Sequence, residues 1–546
     1  MDQLEHISDM RITRIYIEGF KRFTQFELEL NPTFNVIVGD NETGKSSLLE
    51  AIGLVLTGQY DGRLIQYALD PYLFNAAAVA EYFSSHQKGK HAPPPQVLIE
   101  AYLESVGKDP ALAKLKGTNN TRGEDCPGLS MKIEVDSNYA AILKEYAADV
   151  SNPNVLPVEF FKTAWRSFGE NGVTLRKLPF RAAIIDTSLG RVYRGPNKYL
   201  AQVVNNVLTE HQRRDLSLEY KRLQHGFSQE PGVKSINKHL EKQGNPATAK
   251  KLSVQMDMSS RTSWDSAITA HLDDLPFDCA GKGEQCRVQL RLAIAGAEES
   301  QILLIEEPEN HLSHSHLNML MEDIRKDCAD RQVIITTHSG FVLNKLGIDN
   351  LRLISHDGQS ATLHGLTAET KDYFMKLPGY DTLRLILSKK SILVEGPSDE
   401  LIVQRAYKDK YKKLPLENGV DVISVGSLAF KRFLEIAELL NLEVRVVTDN
   451  DGNVAALKAK YSPFLNKIDS TIRIFFDEDE TCPTLEPQLL KANSLDMLNN
   501  ILKTKHADTQ TLLKYMGGKN KTDCALKMFE TEQSWVTPEY IINAIK

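Results

Sequence analysis

The chain has 546 residues, too many for one hydrophobic core, so about two to four domains are expected. With 42% hydrophobic and 25% charged residues and a net charge of −7, it has an ordinary soluble composition that announces no nucleic-acid binder, although carboxylates holding Mg2+ can turn a surface locally electropositive. No apolar stretch of about twenty residues and no signal-peptide core is present, which argues against a membrane span or secretion.

Residues 11–30 alternate as two strands joined by a turn near Gly19 to Phe23. An apolar strand then runs into Gly39-x4-Gly44-Lys45-Ser46, and a helix-favouring run starts at Ser47. QVLIEAYLE (96–104), MKIEVD and VEFFKTAW (158–165) read as strands of a β-rich lobe, and RAAIIDT (181–187) as a further short strand. From about Lys198 to Ala249 the chain turns polar and helix-favouring, which predicts a helical arm inserted into the first domain, either for dimerisation or as a subdomain packed on its own chain. From Ser388, SILVEG, DVISVG, EVRVVTDND and TIRIFF alternate with helical stretches and predict a parallel α/β domain. The expected domains are a first domain at 1–190 and 259–370, a helical insert at 191–258 and an α/β domain at 371–546. The six cysteines, Cys126, Cys279, Cys286, Cys328, Cys482 and Cys524, form no C-x-x-C pair, which fits a reducing cytoplasm better than a zinc ribbon or a disulfide framework.

Strand, glycine loop and helix in that order are the context of a phosphate-binding loop. Gly39, Asn41, Gly44, Lys45, Ser46 and Ser47 are its candidate nucleotide contacts, with Lys45 on the β/γ-phosphates and Ser46 on Mg2+. QILLIEEPEN (301–310) reads as a Walker B strand: Glu306 is assigned to the metal and Glu307 to the base that orients the attacking water. His338, ending QVIITTHS, matches the switch histidine of ABC-type ATPases. AGKGEQCRVQLRLAI (280–294) resembles the ABC signature, with Gly281, Gly283, Glu284 and Gln285 facing a γ-phosphate. It departs from the usual Leu-Ser start. An ATP site split between Walker A of one protomer and signature of another requires a homodimer or larger assembly.

A second constellation lies further on. Glu395 ends one predicted strand, Asp399 opens the next helix as its N-cap, and Asp449 and Asp451 end another strand. Strand ends of a parallel sheet are where α/β proteins bind ligands, and four carboxylates there call for Mg2+ or a similar hard cation, with Mn2+ or Ca2+ as alternatives. A glutamate after the first strand and an Asp-x-Asp after the third resemble a Toprim domain.

Head, EEPEN Walker B, helical insert and Toprim domain together resemble the OLD (overcoming lysogenization defect) family, which includes Gabija-type nucleases and some retron effectors. The resemblance implies an α/β fold: an ABC/RecF-like ATPase head with an inserted dimerisation arm, then a Rossmann-like Toprim domain. It implies Mg2+-dependent DNA nicking or cleavage controlled by ATP, in defence against phage. A partner protein, or a retron reverse transcriptase with its RNA–DNA hybrid, is an implied partner. It assigns Glu395, Asp399, Asp449 and Asp451 to metal and catalysis, Glu486 to a second metal and Lys521 to the scissile phosphate. Asp479, in the acidic run 477–480, is a minor metal candidate. Two readings compete: an SMC- or RecF-like DNA clamp without cleavage, and a topoisomerase-like Toprim enzyme, which lacks a tyrosine in the required setting.

Overall fold

The computed structural model describes residues 10–105, 110–186, 208–243, 252–258, 264–268, 271–297, 300–355, 358–376, 381–426, 429–465 and 470–546. The chain divides into two compact units, Met1–Thr24 with Ser46–Thr336 and Gln25–Lys45 with Thr337–Lys546.

In the first unit, strands Met10–Phe20, Val97–Ser105, Cys126–Val135 and Phe161–Ser167 pair antiparallel in that order. Ile17 faces Ile99, and Ile99 faces Met131, so buried apolar residues of neighbouring strands share one face. VEFFKTAW is a strand only from Phe161. Val158–Phe160 turns as a 3-10 helix behind Pro157, and the strand runs on to Ser167. A second, parallel set comprises Ala182–Asp186, Ile302–Glu306 and Gln332–Thr336, with Asp186, Glu306 and Thr336 level at their ends. RAAIIDT is thus a neighbour of the Walker B strand. The helix Lys45–Thr57 lies close against this set: a Cβ on Gly53 would meet Ile184 Cδ1 at 2.4 Å. Of the expected insert, helices Glu210–Ser228 and Pro231–Gln243 are described, the first capped by a reciprocal Thr209–Gln212 box. Residues 191–207 and 244–251 lie outside the described residues.

In the second unit, Phe34–Val38 pairs parallel with Leu351–Ile354, which pairs antiparallel with Ser360–Thr362. The rest is one α/β domain. Strand β1 (Lys390–Val394) leads to α1 (Pro397–Tyr411), β2 (Val420–Ser424) to α2 (Phe430–Leu439), and β3 (Glu443–Val447) to α3 (Val454–Lys460). Strand β4 (Ile472–Phe475) precedes α4 (Leu485–Ala492), α5 (Leu495–Leu502), α6 (Thr509–Met516), α7 (Lys521–Glu530) and α8 (Glu539–Ala544). The strands are parallel in the order β2-β1-β3-β4. The chain therefore changes direction across the sheet between β1 and β3, and a ligand crevice opens at such a switch point. Val394 pairs with Val447, so β1 and β3 end level, with Glu395 and Asp449 just beyond.

One core joins sheet and helices: Ile392, Val394, Ile402, Leu489, Leu498 and Met528 are all buried in it. Arg405 on α1, itself buried, donates to the last carbonyls of α7, Met528 O at 3.1 Å and Phe529 O at 2.8 Å. We expect Arg405→Ala to lower stability by about 1–3 kcal/mol, because it removes the guanidinium donor from Phe529 O and leaves Met528 O with the Trp535 Nε1 bond alone. Urea denaturation followed by circular dichroism checks this.

Candidate functional site

The acidic residues of the α/β domain gather at the β1/β3 switch point. Glu395 Oε1 accepts from the Thr448 hydroxyl at 2.6 Å and from the Asp449 N–H at 3.1 Å, which fixes the end of β1 to the end of β3. Asp399 is the third residue of α1 rather than its N-cap. Gly396 caps the helix and Pro397 takes the first position, where the fixed proline φ fits and no N–H is needed. Asp399, Asp449 and Glu486 are each 6% exposed. Glu486, in the first turn of α4, pairs with Lys521, the first residue of α7, at 3.1 Å.

These groups act on one another. Burial, then the charges of Asp399 and Glu395, push Asp449 up to about 8. Burial pushes Asp399 up to about 6, with Lys521 opposing and Glu395 and Glu486 adding. Burial alone would lower Lys521, but Glu486, Asp399 and Asp449 outweigh it and raise its pKa. Asp449 Oδ1 is buried and accepts no hydrogen bond from the described residues. Asp451 stands exposed at the rim in a left-handed turn (φ 48°), and its charge and that of Glu395 both reach the buried Tyr461 hydroxyl.

Among the described residues, no three His, Cys, Asp or Glu side chains are drawn together as a finished metal cage. The donor set still fits a hard divalent cation: all donors are carboxylate oxygens, one is orphaned, and two carry raised pKa values that a cation would reverse. Asp479 is committed elsewhere. The Thr481 hydroxyl and Lys491, the latter at 2.9 Å, hold it down to about 2 on an exposed loop.

Sequence reasoning missed Thr448, Asn450, Tyr461, Gln488 and Tyr540. Asn450 alone had a signal, since Asp-Asn-Asp-Gly invites a left-handed turn. Tyr540 is buried, donates to Gln488 Oε1, and is pushed up by burial and by the Asp449 charge.

The nucleotide candidates divide between the units. In the second, Lys45 is buried, and its ammonium donates to Gly39 O and Asp40 O, each at 2.9 Å. Gly44 has a φ of 99° that side chains avoid, and a Cβ on Gly39 would meet Thr43 Oγ1 at 2.5 Å and Ile354 O at 2.7 Å. Asn41 is exposed on this loop, and His338 is exposed just after Gln332–Thr336. In the first unit, Ser46 and Ser47 open the helix, and Glu306 ends its strand. Glu307 is left-handed (φ 41°), donates its N–H to Thr336 O at 2.9 Å, and accepts from Asn310 Nδ2 at 3.0 Å. Gly281 caps the helix Lys282–Gly296. Gln285 is buried and donates to Phe277 O at 3.0 Å and Ala280 O at 2.9 Å, and a Cβ on Gly283 would meet His311 O at 2.7 Å.

Residues 11–361 match the RecF/RecN/SMC N-terminal domain, and residues 386–451 match the TOPRIM domain of overcoming lysogenization defect protein-like chains. The chain is similar to the DNA replication and repair protein RecF of Actinobacillus pleuropneumoniae, with 38% identity over 72 residues, 12% of this chain and 20% of that protein. It is 43% identical over 63 residues to RecF of Magnetococcus marinus, 12% of this chain and 16% of that one. These matches thus span a fifth or less of the curated relatives' length. Among solved structures, a recombination mediator protein RecF in its ATPrS form aligns over 66% of this chain and all of that one, at 14% identity and a TM-score of 0.33. The C-terminal region of the Burkholderia pseudomallei OLD protein aligns over 29% of this chain and 95% of that one, at 17% identity and a TM-score of 0.25.

The raised carboxylates predict a pH dependence. A folded-state pKa above the unfolded one means that the native state holds the extra proton, so stability falls as pH rises. For Asp449 the window runs from its ordinary 3.8 to about 8. In metal-free protein, Asp449→Asn is expected to flatten the fall in melting temperature between pH 5 and 8, and to reduce the gain on adding Mg2+ at pH 8. Differential scanning fluorimetry reads both.

Proposed function

Because this chain belongs to the RecF/RecN/SMC N-terminal domain family and carries an OLD-like Toprim domain, we propose that it is an ATP-regulated, Mg2+-dependent DNA endonuclease acting in anti-phage defence. The observation that carries this reading is the gathering of Glu395, Asp399, Asp449 and Glu486 around Lys521 at the β1/β3 switch point. A clamp that only holds DNA has no use for buried carboxylates that repel one another.

In this reading Glu395, Asp399, Asp449, Asp451 and Glu486 hold divalent ions. The bound ions supply an activated water and stabilise the leaving oxygen of a phosphodiester. The chain's own residues do the rest. Lys521 stays protonated beside Glu486 and offsets charge on the scissile phosphate. The Glu395 contacts to Thr448 and Asp449 keep the two strand ends level while DNA is bound. Phosphate contacts supply most of the affinity for DNA, which falls steeply with salt.

The head is the regulator. Lys45, Ser46, Glu306, Glu307 and His338 are each assigned to ATP by their motifs, and Gly283 and Gln285 to the nucleotide of a partner in a homodimer. The buried Gln285 side chain supports a role in shaping the turn before the signature helix.

Supercoiled plasmid incubated with Mg2+ or Mn2+, with and without ATP, tests the reading. Wild-type protein should yield nicked circles, Asp449→Ala none, and Lys521→Ala a rate lower by about a hundredfold. Lys45→Ala should keep metal-dependent nicking but lose its response to ATP. Nicking that survives Asp449→Ala, or DNA binding by wild-type protein with no nicking under any of these conditions, contradicts the proposal.

A further inference from the structure

The proposed metal ligands sit on separate elements. Asp449 and Asp451 follow β3, and Glu486 is on α4. Segment 477–483, between β4 and α4, carries none of the proposed ligands, yet side chains from two sides hold it. Asn450, between the two aspartates, is 1% exposed, and its amide faces this segment. Nδ2 donates to Asp477 O at 2.8 Å and Asp479 O at 2.9 Å, with Cys482 O at 3.4 Å, and Oδ1 accepts from the Gly452 N–H at 2.8 Å. The Asp451 N–H donates to Pro483 O at 3.1 Å.

From the other side, Gln488 on α4 is also 1% exposed. Its Nε2 donates to Cys482 O at 3.1 Å, and its Oε1 accepts the Tyr540 hydroxyl. Two buried amides therefore grip the same loop, one flanked by Asp449 and Asp451, the other two residues after Glu486. An asparagine has two N–H donors and one acceptor oxygen, and here all are engaged. The carboxylates of Asp449 and Glu486 repel each other and stand on separate elements.

We propose that Asn450 and Gln488 are positioning residues that clasp segment 477–483 and so hold Asp449, Asp451 and Glu486 at the spacing a divalent cation needs. The inference rests on the metal-dependent reading above. Partners behind a ligand commonly set metal affinity by 10- to 100-fold, through the ligand's orientation rather than by contact with the metal.

The test uses the full chain and Mn2+ alone as probe. Calorimetry measures Mn2+ binding, hydrogen exchange in metal-free protein follows 451–453 and 477–483, and plasmid nicking is titrated with Mn2+. Asn450→Ala should weaken Mn2+ binding by about 10- to 100-fold and speed exchange in both segments. Its nicking rate should recover most of the wild-type value at saturating Mn2+, which Asp449→Ala cannot do. Gln488→Met should shift binding in the same direction and decides the matter where Asn450→Ala does not fold. Wild-type Mn2+ affinity with unchanged exchange in both variants overturns the clasp. Wild-type protein that binds Mn2+ but nicks no plasmid sinks the nuclease reading and leaves the clasp to stand or fall on binding. Wild-type protein that binds no Mn2+ overturns both.

Discussion

Repulsion among carboxylates in a crevice that excludes water is the constraint on which the α/β domain depends. Asp399, Asp449 and Glu486 are nearly fully buried, Glu395 lies beside them, and Lys521 is the cation among them. At short range and reduced dielectric, such like charges cost several kcal/mol unless protons or cations answer them. The framework around the crevice opposes this repulsion. Parallel strands end level, α1 and α7 share one core, and Arg405 ties the end of α7 to α1.

Helix ends sharpen the balance. Asp399 and Glu486 lie in the first turns of α1 and α4, where a helix favours negative charge. Lys521 opens α7, where a helix disfavours a cation, so its position depends on Glu486 and its neighbours. In the nuclease reading, the carboxylates that keep Lys521 protonated also set its charge toward the proposed phosphate position. Asp451, by contrast, stands at the rim, where an ion or a DNA strand can reach it from solvent.

Much of this was legible in the sequence, for physical reasons. Strands of a parallel sheet are rich in apolar β-branched residues, so β1 to β4 announced themselves, and a strand end is where a carboxylate is conspicuous: Glu395, Asp449 and Glu306 were found that way. Local detail was harder. Asp399 read as a cap because aspartates usually cap helices, but Pro397 shifts the start of α1 by fixing the first helical φ. Val158–Phe160 carries a strand-like composition that Pro157 turns aside. Gln488 and Tyr540 were out of reach, and of Asn450 only the turn was legible, since their roles come from contacts between segments distant in sequence.

The central claim is that the buried carboxylates form one divalent-cation site. Crystals of the protein soaked in Mn2+ and measured at the manganese absorption edge test it most directly. The account predicts an anomalous peak held by oxygens of Asp449 with Glu395 or Asp399, and its loss in Asp449→Asn. Well-ordered carboxylates with no anomalous peak among them would contradict it.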